Sequence, residues 1–144
     1  MTQRILIMGL PGSGKTTLAQ ALRTELWHEG RTVAWFNADE VRKRFDDWDF
    51  STPGRIRQSH RMRELANQAT TDYVIADFVA PLESMRTVFQ AHWVIWLDTI
   101  DRGRYEDTNQ VFVPPAVCDF RVDTQSASEW SLRIASEILP SATK

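Results

Sequence analysis

Short apolar runs alternate with helix-spaced apolar positions along most of the 144 residues. Arg4 to Met8 (RILIM) is apolar and β-branched and stops at Gly9, the pattern of a strand buried on both faces. From Lys15 the period changes: Leu18, Ala19, Leu22 and Leu26 fall at helical spacing, and Gly30 suits the C-cap. A second strand is expected from Thr32 to Phe36, then the polar cluster Asn37-Ala38-Asp39-Glu40 and a short helix over about Asp39 to Phe45. In the following DDWDFSTPG, the residues Ser51, Pro53 and Gly54 signal a turn. The longer helix beyond it has an apolar face of Met62, Leu65, Ala66 and Ala69 beside a polar stripe of Arg57, Arg61, Glu64 and Gln68. Tyr73 to Ala76 and Val94 to Leu97 read as buried strands flanking a helix from about Leu82 to Gln90. A short strand near Phe120 to Val122 and a closing helix from about Ser128 to Leu139 complete the pattern.

Strand and helix alternate with crossover lengths, which implies an α/β fold: a parallel sheet of about five strands with helices on both faces. In such sheets ligands sit at the C-terminal ends of the strands. The composition, 42% hydrophobic and 25% charged, fits one globular domain over residues 1–144. The single Cys118 cannot form an internal disulfide and is expected to be inert packing in a reducing, cytoplasmic setting. No signal peptide and no membrane-spanning run is expected. A formal net charge of −2 gives no global attraction to nucleic acid, so any such partner requires a local basic patch.

The chemistry concentrates first in Gly9-Leu10-Pro11-Gly12-Ser13-Gly14-Lys15-Thr16, which fits GxxxxGK[ST] between a predicted strand and a predicted helix. Glycines let backbone N–H groups close on phosphate oxygens, and the helix adds its positive end. ATP is the expected nucleotide: Lys15 reaches its outer phosphates, the Thr16 hydroxyl binds Mg2+, and Thr17 completes the binding set. A plain glycine turn would need neither the lysine nor the hydroxyl.

At the end of the second strand stands Asn37-Ala38-Asp39-Glu40-Val41-Arg42. A hydroxyl acceptor needs a carboxylate to orient it and take its proton, and Asp39 is placed for that work, with Arg42 one helical turn on. The plainer alternative makes Asp39 the N-cap of the short helix. Asp77, closing YVIAD, is either an acid that orients water on Mg2+ or a strand-terminal turn residue. Asp98 in WLDT is expected in a buried structural hydrogen bond. Arg102 and Arg104 in DRGRYED are candidates for a lid that brings positive charge to the transferring group, Arg104 the better placed because Tyr105 stands beside it.

Together GLPGSGKTT, NADEVR, DFSTPGRIRQSHRMRELA, VIADFVAPLESMR, WLDT and FVPPAVCDFRVDT resemble the adenylylsulfate (APS) kinase group of P-loop kinases over most of the chain. NADEVR stands where that family has DGDNxR, and it also resembles the N-x-D-D-x-R segment of polynucleotide 5′-hydroxyl kinases. DTIDRGRYEDTNQVFVPP replaces the family's lysine-rich lid and Phe-Thr-Gly-Ile segment. The short chain with NADEVR, DWDFS and EDTNQVFVPP is similar to phage kinases that phosphorylate 5-hydroxymethyluracil in DNA, which implies that modified DNA is the leading acceptor. On that reading Arg42, Arg57 and Arg61, with Lys43, Arg44, Arg55 and Arg63, neutralise DNA phosphates while Trp48 and Phe50 stack an extruded base. The plainer alternative pairs this helix with Asp46, Asp47 and Asp49 and folds Trp48 onto the core. Adenylylsulfate, a polynucleotide 5′-hydroxyl, and a non-catalytic nucleotide switch remain as further readings.

Overall fold

The structure is a computed structural model that describes residues 1–103 and 105–140. Its elements run β1 (Gln3–Gly9), α1 (Lys15–His28), β2 (Val33–Asn37), α2 (Ala38–Phe45), α3 (Thr52–Gln68), β3 (Tyr73–Asp77), α4 (Glu83–Phe89), β4 (Trp93–Leu97), α5 (Glu106–Val111), β5 (Phe120–Val122) and α6 (Ala127–Ile138). The five strands form one sheet in the order β2-β3-β1-β4-β5, with every pairing parallel.

The two-residue strand period decides which side chain meets which helix layer. Ile5, Ile7, Ile75 and Ile95 face α1 and α6 and pack with Leu18, Leu22, Leu26 and Ile134. Their neighbours Leu6, Met8, Val74 and Ala76 face the opposite layer and pack with Val41, Met62 and Phe89. Each of these large side chains contributes about 1.5–3 kcal/mol by leaving water. The sheet is thus apolar on both faces, as the RILIM and YVIA runs predict. Among the described residues no helix is long and apolar enough to cross a membrane.

Register puts chemistry at the strand ends. Asn37 of β2 pairs with Asp77 of β3, and Ile7 of β1 pairs with the same Asp77, so two polar residues meet beside the loop that follows β1.

Several local expectations are corrected. Ser51, Pro53 and Gly54 do not form a turn between helices; they start α3. The Ser51 side chain accepts from the Gly54 N–H, and proline sits in the first turn, where its missing N–H costs nothing. Gly54 is required there, because a Cβ would collide with the Asp49 backbone and stand 2.5 Å from its Cγ. α2 begins at Ala38 with Asn37 as N-cap, accepting from the Glu40 N–H, so Asp39 is not the cap. The segment beyond β4 contains α5, which its polar composition does not announce. Asp98 is not in a buried hydrogen bond either; it takes a half-exposed ion pair from Arg121 at 2.6 Å.

Candidate active site

The β1–α1 loop is shaped for a polyphosphate. Gly9 has φ +156°, and a Cβ there would stand 2.8 Å from both the Leu97 carbonyl and Ser13 Oγ. Gly14 is the N-cap of α1 at φ 106° and offers no capping side chain, while a helix's first turn leaves N–H groups without intrahelical partners. The Ser13 hydroxyl is buried with no hydrogen-bond partner among the described residues. The Ser13 N–H and the Lys15 ammonium each donate to the Leu10 carbonyl, at 3.1 Å, so Lys15 is drawn back over the loop. The Thr99 hydroxyl donates to the Ser13 carbonyl at 2.7 Å and ties the loop to the end of β4. An open cradle, an orphaned hydroxyl and an ammonium together fit the phosphates of a nucleotide.

Beside the loop lies a polar knot. The Asn37 amide donates to Thr16 Oγ1 at 3.1 Å and to both Asp77 oxygens at 3.1 and 3.2 Å. Trp35 Nε1 donates to Asp77 Oδ2 at 2.7 Å. Asp77 is only 2% exposed, and burial pushes its carboxyl up to about 6, against the opposing pull of the Trp35 and Asn37 hydrogen bonds and the Lys15 charge. One hydroxyl and one carboxylate are the donors a hard, hydrated cation uses alongside nucleotide phosphates. Thr16 and Asp77 therefore fit Mg2+ carried in with a nucleotide. Among the described residues no cluster of three or more His, Cys, Asp or Glu stands together, so the remaining ligands would be phosphate and water.

Asp39 projects from the first turn of α2 into a cavity of about 350 Å³ shared with Lys15, Asp77, Trp48, Phe50 and Tyr105. A narrower recess of about 60 Å³ continues from it, lined by Asp39, Arg42, Phe50 and Arg55. Both arginines are buried, at 4% and 8% exposure. Arg42 donates to the carbonyls of Asp47 and Asp49 at 3.0 and 3.2 Å, and burial holds its guanidinium below the usual range. Both guanidiniums lie against the Phe50 ring, Arg42 at 4.2 Å and Arg55 at 5.5 Å from its centroid. Arg55 also donates to the Thr108 hydroxyl at 3.0 Å and so ties α5 to α3 over the cleft. A wider concavity of about 910 Å³ runs along the open edge of β2, but it meets neither Lys15 nor Asp39. The smaller cavity is the one where phosphate loop and carboxylate converge.

Arg57 and Arg61 do not face the cleft as open cations. Arg57 donates to Asp47 at 2.7 Å and to Asp49 at 3.0 Å, and Arg61 donates to Asp47 at 2.6 Å. These bonds hold Asp47 well below the usual carboxylate range, that from Arg57 contributing most. Trp48 is not folded onto the core; it is 49% exposed at the cleft mouth. Arg102 pairs with Glu106 on the exposed surface, and Arg104 lies outside the described residues. Sequence reasoning missed Trp35, Asn37 and Thr108. Only Asn37 had a signal, as the first letter of NADEVR at a strand end.

Residues 1–100 match the family model for adenylylsulphate kinase. The chain belongs to the adenylylsulfate kinase family. An adenylyl-sulfate kinase from Bacillus pumilus is 31% identical over 123 residues, 82% of this chain and 55% of that protein. A bifunctional CysN/CysC enzyme from Rhodopirellula baltica is 35% identical over 85 residues, 57% of this chain and 13% of that protein. The chain thus spans about half of one curated relative and about an eighth of the other. In fold, this adenylylsulfate kinase family member is similar to the Mycobacterium tuberculosis APS kinase CysC solved with AMPPNP and APS. The TM-score is 0.80 at 16% identity, over 94% of this chain and 96% of that one. It is also similar to a shikimate kinase from Acinetobacter baumannii solved with shikimate, with TM-score 0.66 at 19% identity over 100% and 97%. These likenesses place the chain in the P-loop kinase fold.

Proposed function

We propose that this chain is an ATP-dependent phosphotransferase whose acceptor is an anionic alcohol carrying a planar base, with adenylylsulfate the acceptor best supported. The carrying observation is that Asp39 shares one recess with two buried guanidiniums, Arg42 and Arg55, next to the cavity that holds Lys15. Buried cations are costly to desolvate and are kept where an anion compensates them. Among the described residues Arg42 forms no ion pair, though it lies in the fields of Asp47 and Asp39; it donates to two backbone carbonyls and lies over the Phe50 ring. An acceptor with its own sulfate or phosphate would bring a negative charge into contact with Arg42, and the half-exposed Phe50 offers an apolar surface for its base.

In this reading the P-loop and Lys15 hold the triphosphate, and Thr16 and Asp77 hold Mg2+, which offsets phosphate charge when bound. Asp39 orients the acceptor hydroxyl and takes its proton as the oxygen attacks the γ-phosphorus; the β–γ bridging bond breaks and ADP leaves with the electron pair. The family match and the APS complex of the M. tuberculosis neighbour support adenylylsulfate.

A second reading, 5-hydroxymethyluracil in DNA, is favoured by one observation. Trp48 and Phe50 stand exposed at the cleft mouth, where an extruded base could stack. The ion pairs that engage Arg57 and Arg61 weigh against it. Supplying γ-labelled ATP with adenylylsulfate, 5′-hydroxyl DNA or internal hydroxymethyluracil DNA decides the matter. Label on adenylylsulfate, lost in Lys15→Ala, is the expected result. Label confined to the modified base establishes the second reading, and label confined to the DNA end overturns both.

A further inference from the structure

We propose that Asn37 is a positioning residue for phosphoryl transfer, setting the Thr16 hydroxyl and the Asp77 carboxylate toward a common ligand while fixing the helix that carries Asp39. This inference rests on the kinase reading above but not on the identity of the acceptor.

One amide group reaches three functional elements. Its nitrogen donates to Thr16 Oγ1 on α1 and to both oxygens of Asp77 on β3. Its oxygen accepts from the Glu40 N–H at 3.1 Å and so caps α2, whose first turn carries Asp39. The β2–β3 register makes this possible, because Asn37 and Asp77 are direct partners across the parallel pair. In this chain the amide supplies hydrogens that the carboxylate of DGDNxR lacks at the same place. An aspartate at position 37 would set an acceptor oxygen against Asp77, which already lies in the fields of Lys15 and Asp39 and accepts from Trp35. Asn37 instead supplies hydrogens to both Thr16 and Asp77, leaving the second lone pair of the Thr16 hydroxyl and the outer carboxylate lone pairs for a common cation. The bond to Thr16 crosses from the sheet edge to the phosphate loop, so the loop's hydroxyl is held in register with the strand ends.

The plain alternative is that Asn37 only caps α2, and Asn37→Ser separates the two roles. Serine is as good an N-cap, but its hydroxyl is too short to span Thr16 and Asp77 together. The measurement is binding of a non-hydrolysable ATP analogue across a Mg2+ titration, alongside kcat and KM with the acceptor identified above. For Asn37→Ser, the Mg2+ concentration giving half-maximal binding should rise at least fivefold while metal-free affinity stays within twofold. Its kcat should fall about tenfold with acceptor KM little changed. Adding Asn37→Ser to Asp77→Asn should cost less than threefold more, because the two act through one carboxylate. If Asn37→Ser folds poorly, Asn37→Thr keeps a hydroxyl cap, removes the same amide donors without adding charge and replaces it in the titration. Wild-type Mg2+ dependence in a folded variant, or full additivity with Asp77→Asn, overturns the inference. Absence of any Mg2+ linkage in the wild-type protein overturns the metal reading itself, so the two failures are distinguishable.

Discussion

Asp77→Asn should make the protein more stable at neutral pH and less active. Asp77 is 2% exposed, and burial raises its carboxyl from an ordinary 3.8 to about 6 in the folded chain. A difference of about 2 units, at 1.36 kcal/mol each, means that keeping this group ionised costs folding about 3 kcal/mol above pH 6. The sign follows from proton binding: between pH 4 and 6 the folded chain holds a proton that the unfolded chain has lost, so stability falls as pH rises through that window. Below pH 4 both states are protonated and the cost disappears. Asparagine keeps an oxygen for Trp35 Nε1, but its NH2 then faces the Asn37 amide, forfeiting a hydrogen bond of about 1 kcal/mol. The variant should therefore be about 1 kcal/mol less stable than wild type at pH 4 and about 2 kcal/mol more stable at pH 8. Urea unfolding of both proteins at half-unit steps from pH 4 to 8 measures the difference directly. Its swing is the test, since the lost hydrogen bond cancels from it. Stability curves that stay parallel would refute the claim that burial governs this carboxyl. Over the same range kcat should drop at least tenfold in the variant.

Asp39→Asn should lower kcat about 100-fold with the fold intact, because Asn37 and not Asp39 caps α2; turnover within threefold of wild type would remove Asp39 as base. Gly54→Ala should cost about 1–3 kcal/mol in thermal or urea unfolding and raise acceptor KM, because the new methyl pushes the Asp49 backbone and Phe50 follows on the same segment. Unchanged KM in that variant would detach the segment from acceptor binding.

The fold was largely legible because its signals are local. RILIM, TVAWF and YVIAD each carry a strand in a few consecutive residues, and the GxxxxGK[ST] spacing needs only the strand before it and the helix after it. Where a local signal was ambiguous, a distant contact decided it. Ser51, Pro53 and Gly54 read as a turn in sequence, whereas the Ser51 cap and the Asp49 backbone packed against Gly54 make them the start of α3. The role of Trp35 was illegible for the same reason. A tryptophan in a strand is ordinary core, and only the pairing of β2 with a strand 40 residues on sets its Nε1 against Asp77. The basic stripe on α3 reads two ways, as cations for DNA phosphates or as partners of Asp46, Asp47 and Asp49. The chain between α2 and α3 folds back and brings Asp47 to Arg57 and Arg61, which selects the second.

That folding back bears on what kind of anion the cleft is made for. Ion pairs along the outer face of α3 spend its positive charge within the chain, so a long polyanion meets a surface already partly neutralised. Arg42 differs: it is buried, forms no ion pair among the described residues and lies 4.2 Å from the Phe50 ring, where a charge is poorly screened and acts over a few ångströms. On the proposed reading such a buried cation discriminates by fit: an anion small enough to enter the recess gains the full interaction, and a phosphate within a duplex backbone does not reach it. On that same reading, the recess of about 60 Å³ beside Asp39 would suit one compact anionic group on a free nucleotide better than a backbone running past it.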